Sequence, residues 1–137
     1  MFNLQVFRQL NGFDENIFLY YEEMDLSVRA DEHGIKMYYA ENIFFPHNSK
    51  QSVAESETLD KIRNWHFQWS SLYYKKKHRL WIPLIESILV SLLVSPFKQF
   101  AADKYGAEKY RLKRRATLDF LRGKKAFFRN GEPFIPD

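Results

Sequence analysis

One stretch constrains this chain more than any other: residues 80–97, LWIPLIESILVSLLVSPF, the one long apolar run in 137 residues. At eighteen residues it sits at the lower edge of what crosses a bilayer. Glu86, three serines and two prolines interrupt it, and a carboxylate near the middle of a hydrocarbon span is expensive. Pro83, Ser87, Ser91 and Ser95 recur every four residues, and Ile82, Ile85, Leu89, Leu92 and Leu93 make up the other face. The pattern predicts a helix buried against other helices or lying at a membrane interface, not one isolated in lipid.

Charge divides the chain around that run. Positions 1–60 hold four basic and eleven acidic residues, whereas positions 61–129 hold seventeen basic and four acidic. An asymmetry of that size points to two surfaces with different partners, the basic one facing something anionic. The absence of cysteine excludes a disulfide framework, a zinc–thiolate site, an iron–sulfur cluster and a cysteine nucleophile. The length suits one domain, and 45% hydrophobic content suffices for a modest core. Mixed polar and apolar residues follow Met1, so no secretory signal is expected.

The first sixty residues read as mixed α and β. Phe7, Leu10 and Phe13 have a helical spacing that ends at the Asn11-Gly12 turn. Residues 24–33 predict a second helix, closed by Gly34, with Asp25 and Arg29 four apart and able to pair. Ile35, Met37 and Tyr39 alternate as a strand does, Ile43, Phe44 and Phe45 form a short apolar strand stopped by Pro46, and 47–58 is a polar loop. From Leu59 the period changes. Leu59, Ile62, Trp65, Trp69 and Leu72 mark a helix to about Tyr74, followed by Lys75, Lys76, Lys77, His78 and Arg79, whose cations complement a helix C-terminus. A last, strongly basic helix is expected over 107–121, stopping at Gly123.

The segment richest in chemistry is GFDENIFLYYEEMDLSVR, residues 12–29, where five carboxylates alternate with aromatic residues. Read as surface, it is a solvated acidic turn leading into a helix whose N-terminus favours Glu22, Glu23 and Asp25. Read as a site, it holds a carboxylate against apolar and aromatic neighbours, an environment that raises a carboxyl pKa toward that of a working general base.

The order Gly-Phe-Asp-Glu, then Tyr-Tyr-Glu-Glu-x-Asp-Leu-x-x-Arg, resembles the acceptor-side motif of family 2 glycosyltransferases, of the rhamnosyltransferase-like kind that builds polysaccharides of the bacterial cell envelope. The likeness continues through Gly34, through His47 with Ser49 and Ser52, and through Arg63, SLYYKKKH and FLRGKKAFF. It implies an α/β chain (α+β in this portion), the acceptor-side part of a GT-A fold followed by a helical tail. The implied divisions are 1–58 for the catalytic-base segment, 59–125 for basic and apolar helices that associate with a membrane, and 126–137 for the tail.

The same resemblance implies an inverting transfer in which Glu23 is the catalytic base on an acceptor hydroxyl. Asp14, Glu22, Asp25 and Arg29 bind the acceptor or support the site, with Asp25 the structural member that pairs with Arg29. His47 corresponds to a histidine that in some relatives helps hold a divalent metal, Mg or Mn. Implied partners are a nucleotide-sugar donor, a glycan or lipid-linked acceptor, and an anionic membrane surface, with location in the cytoplasm at the inner face of the cell membrane. The sequence departs from the family pattern at Glu23, where aspartate is usual, and at Asn11, where a second glycine is usual. Neither an Asp-x-Asp triplet nor a Gly-rich phosphate loop occurs, so the donor-binding half is missing. The expectation is therefore a C-terminal fragment, inactive without the donor-binding half, with a donor-domain protein or a second copy of the chain (a homo-oligomer) as its protein partner.

The alternative is a small basic module that binds membrane or nucleic acid without catalysis. Lys75, Lys76, Lys77, Lys113, Arg114 and Arg115 could contact phosphates, and Trp65 and Trp69 could stack on bases. Both tryptophans share a helix face with Leu59, Ile62 and Leu72, which is the pattern of packing, and no nucleic-acid motif occurs. Basic clusters flank the apolar run on both sides with Trp81 at its edge, which favours the membrane and gives an expectation of no nucleic acid.

Overall fold

The computed structural model of the chain describes residues 3–38, 41–42, 56–127 and 131–136. The first helix, α1 (Leu4–Gln9), starts where the Asn3 side chain accepts from the Gln5 N–H, a standard N-cap. It stops because Asn11 and Gly12 both enter the left-handed region, at φ 59° and 69°. Helix α2 (Glu22–Glu32) has no side-chain cap, but Glu22, Glu23 and Asp25 fill its first turn and complement its dipole. It closes at Gly34 (φ 66°), after which the Ile35 N–H returns to the Ala30 carbonyl. Leu10, Leu26 and Ala30 form a small core between these helices, sealed by Val6, Phe7 and Ile35.

Helix α3 (Glu57–Lys77) is capped by Ser56 and carries Lys75, Lys76 and Lys77 in its last turn. It runs beyond the expected end at Tyr74, because the lysines are good helix formers placed at the negative pole of the dipole. The apolar run forms α4 (Trp81–Leu89), a π-helical turn (Val90–Val94) and α5 (Ser95–Ala101). The widened turn ends just before Pro96, which has no N–H to donate to the preceding turn. Helix α6 (Lys104–Leu121), capped by Asp103, lies against both α3 and α5, and α4 packs on α3. Beyond Gly123 the chain folds back, so that Ala126 and Phe134 join Trp65, Trp69 and Ala116 in the main core.

The serine stripe of the apolar run decides its orientation. Ser91 and Ser95 are buried; the Ser91 hydroxyl donates to the Lys113 carbonyl (3.2 Å) and accepts from Thr117 (2.8 Å). Ile82, Ile85, Leu89, Leu93, Phe97 and Phe100 point the other way and are exposed, Ile82 at 82% and Phe100 at 95%. The helix therefore turns its weakly polar face to the protein and its apolar face outward.

The α/β expectation is overturned. The described residues are helical with no sheet, and their only extended pairing is an isolated antiparallel bridge between Phe127 and Pro133. Residues 35–38 form no strand: Met37 and Tyr38 are exposed at 61% and 85%. Alternation alone does not make a strand; the backbone needs a partner edge, and none lies among the described residues. The second expected strand, at Ile43, Phe44 and Phe45, lies outside the described residues, as does most of the expected loop.

Candidate functional site

The acidic segment is held to the C-terminal end of α3 by charge. Asp14 follows the left-handed Asn11-Gly12 turn; its Oδ1 accepts from the Asn16 backbone (2.9 Å) and side-chain amide (2.8 Å). Its Oδ2 accepts from the Tyr73 hydroxyl (3.0 Å) and from Lys77 Nζ (2.6 Å). Asp25 is fully buried. Arg29 Nε donates to its Oδ2 (2.8 Å), while Lys77 Nζ (2.6 Å) and His78 Nε2 (2.9 Å) reach its Oδ1. Arg29 continues to the Leu10 carbonyl and to the Gly12 carbonyl (2.7 Å). One ammonium thus bridges two carboxylates, and one guanidinium ties α2 to the turn before it.

Burial by itself would raise both carboxyl pKa values. At Asp14 the hydrogen bonds from Lys77, Asn16 and Tyr73 outweigh it and hold the group at about 2, against an ordinary 3.8. At Asp25 burial is likewise outweighed, by Lys77, Arg29 and His78, and the pKa is again lowered. A lowered folded-state pKa stabilises above the unfolded value, and the gain disappears as pH falls through the folded one. For Asp14 this amounts to about 2 kcal/mol, present above pH 4 and lost toward about 2. Urea midpoints measured between pH 6 and pH 2 should fall in that window, and Asp14→Asn should flatten the fall.

Glu22 and Glu23 stand apart from this network. They follow two consecutive left-handed residues, Tyr20 (φ 66°) and Tyr21 (φ 73°), a strained backbone that persists only where its surroundings hold it. Here the holding is aromatic: both tyrosine rings contact Phe67, Tyr21 also contacts Tyr74, and Ser70 donates to the Leu19 carbonyl (2.8 Å). Glu23 is exposed, which corrects the expectation of a base pressed among aromatic rings: the first-turn position turns its side chain to solvent. Glu22 is half-buried, and its Oε2 is buried with no hydrogen-bond partner among the described residues.

No protein-family profile, curated protein or solved structure matches the chain. The site is therefore read from its own geometry. Among the described residues no group of three or more His, Asp or Glu side chains is placed to hold a metal ion. Asp14 and Asp25, the best-placed carboxylates, are already neutralised by Lys77, Arg29 and His78. This donor set does not fit a divalent cation. His47 lies outside the described residues.

Structure thus separates the expected site residues into Asp14, Asp25 and Arg29, which are joined, and Glu22 and Glu23, which are not. It also adds Lys77, His78 and Tyr73, none of which sequence reading placed in the acidic site; Lys77 was read there only as a helix-end cation and a phosphate contact. Their only signal was the SLYYKKKH segment, read there as a helix end and as part of the likeness to the family's tail helix. Beside Asp14, a groove of about 1710 Å³ opens between α3, the end of α6 and the turn that carries Asp14. Trp69, Phe120 and Phe134 line it together with Lys76, Lys124 and Lys125.

Proposed function

We propose that the chain is the acceptor-side portion of an inverting glycosyltransferase, working on a glycan or lipid-linked acceptor at an anionic membrane surface. The observation that carries this reading is the division of its carboxylates. Asp14, Asp25 and Arg29 are saturated by one another, by Lys77 and by His78, whereas Glu22 and Glu23 on the adjoining turn have no side-chain partner among the described residues. Sugar transfer needs that division: a rigid support, and a carboxylate left open to take a proton from an acceptor hydroxyl. In the proposed step Glu23 accepts the hydroxyl proton, the oxygen attacks the anomeric carbon from the face opposite the leaving group, and the nucleoside diphosphate departs with inversion. Glu22, half-buried on the same turn, supports the position of Glu23.

Nucleotide binding comes from outside these 137 residues, because no phosphate loop or Asp-x-Asp triplet is among them. Location at the inner face of the cell membrane is supported by the outward stripe of Ile82, Ile85, Leu89, Leu93, Phe97 and Phe100, with lysines and arginines on both sides. The helix Trp81–Ala101 is long and apolar enough to cross a membrane, at mean hydropathy 1.4, but its serine face is committed to α6, so we place it in the interface.

The test has two arms. The purified chain, given radiolabelled nucleotide-sugars and a lipid extract, should transfer nothing; turnover by the chain alone would contradict the need for a separate donor half. Saturation-transfer NMR with bacterial oligosaccharides should show glycan contacts that Glu22→Gln and Glu23→Gln weaken at least severalfold. Lack of any contact sinks the acceptor reading.

A further inference from the structure

A second cavity, of about 370 Å³, lies where the apolar helix meets α3 and α6. Lys75 enters it from α3, Lys98 from α5 and Lys113 from α6, and Glu86 is the single carboxylate in its lining. Three ammonium groups against one carboxylate leave a surplus of positive charge in a partly closed space. Lys75 Nζ donates to the Ser87 hydroxyl (2.5 Å); Lys98 and Lys113 have no carboxylate partner among the described residues. Burial, and then the neighbouring Lys109 and Lys98, push the Lys113 ammonium below its ordinary pKa, and burial does the same to Lys75. Lys75 and Lys113 are partly desolvated and Lys98 stands exposed at the mouth; cations brought together in this way repel one another unless an anion sits between them.

The position of the cavity tells what kind of anion. Its rim includes Val90 and Val94, which are also exposed at 47% and 39% beside the outward apolar stripe. A ligand with its anion in the cavity would lay any hydrocarbon it carries along Val90, Val94 and that stripe. A soluble phosphate would use only the first half of this arrangement.

We propose that the cavity between Lys75, Lys98 and Lys113 receives the phosphate of an anionic phospholipid whose acyl chains run along the exposed face of the apolar helix. The inference rests on the membrane reading given above and adds to it a defined headgroup site. It also gives the serine stripe a use: Ser87 and Ser95 line the same cavity and offer hydroxyls beside the cations, while the Ser91 hydroxyl is spent on the Lys113 carbonyl.

The experiment is flotation of the whole chain on phosphatidylcholine vesicles with and without phosphatidylglycerol. The double variant Lys98→Gln/Lys113→Gln should lose clearly more affinity for the anionic vesicles than the roughly twenty-five-fold that diffuse attraction gives two cations at about fivefold each. The control Arg79→Gln/Lys104→Gln removes two cations near the two ends of the same helix but outside the cavity, and it should lose no more than that diffuse share. Equal losses in the two pairs would mean diffuse attraction and would overturn the site while leaving the membrane reading intact. A wild-type chain that floats on neither vesicle would overturn both. Circular dichroism checks that each variant is folded, and Lys98→Gln alone, at an exposed residue, repeats the test should the pair unfold. Inorganic phosphate, without vesicles, provides the other arm. If millimolar phosphate raises the melting temperature and the lysine variants abolish that rise while still floating normally, the ligand is a soluble phosphate and the lipid proposal fails.

Discussion

Asp25→Ala should lower the unfolding free energy by about 3–5 kcal/mol, the range for removing one member of a buried charge cluster. Asp25 is fully buried and meets Arg29, Lys77 and His78 together, so its loss leaves three donors facing a void. Lys77 keeps Asp14 (2.6 Å) and Arg29 keeps the Leu10 and Gly12 carbonyls, which limits the damage to the junction of α2 with α3. Urea titration followed by tryptophan fluorescence measures the change. Asp25→Asn keeps part of the hydrogen bonding and should fall between wild type and alanine. Pairing Asp25→Ala with Lys77→Met should cost less than the two single changes added together, because each removes the other's burden. A loss below about 1 kcal/mol, the worth of a surface ion pair, would show that the cluster is not what joins the two parts.

Trp65→Ala should be comparably severe, at about 3–5 kcal/mol for a large core side chain. Trp65 is completely buried, lies 4.7 Å from the Phe134 ring and stacks on Trp69 at 6.1 Å. Its indole N–H also donates to Asp119 Oδ2 (3.0 Å), with Arg115 and Lys124 at 3.8 Å from the same oxygen. Trp65→Phe separates the two contributions. It retains most of the ring packing but removes the hydrogen bond to a nearly buried carboxylate, so about 1–3 kcal/mol of the loss should remain. Thermal melts of wild type, Trp65→Phe and Trp65→Ala should fall in that order. Equal melting of the phenylalanine variant and wild type would show that Asp119 is satisfied by its two cations alone.

Local order was well encoded. Ser56 and Asp103 cap helices that begin at the next residue, Gly34 and Gly123 end theirs, and the Asp25–Arg29 pair is where four-residue spacing places it. The recurrence of Ser87, Ser91 and Ser95 every four residues was legible as one stripe of the helix, because side chains at that spacing share a face, but the pattern did not say that this stripe would be the buried one. The strand reading failed for the opposite reason. Ile35 and Met37 obey a period of two, but a strand exists only with a neighbour, and that neighbour is not a property of residues 35–38.

The candidate site was legible only in part. The acidic residues could be found, but not their roles: Glu23 is exposed and Asp25 buried two positions away, a difference set by which side of α2 meets α3. Lys77 and His78 read as cations finishing a helix. Nothing near them in the chain shows that they neutralise Asp14 and Asp25, since those contacts span 63 and 53 positions.

By itself the sequence determined the presence of the main helices, the division of charge and the two-sided character of the apolar run, all of which depend on neighbours within about one or two turns. Tertiary structure decided which carboxylates are spent on holding the molecule together and which stay open. It also set which lysines are drawn into a cavity, and that the apolar face looks outward. Those outcomes follow from burial and from charges meeting across distant segments, and burial exists only once the helices have packed.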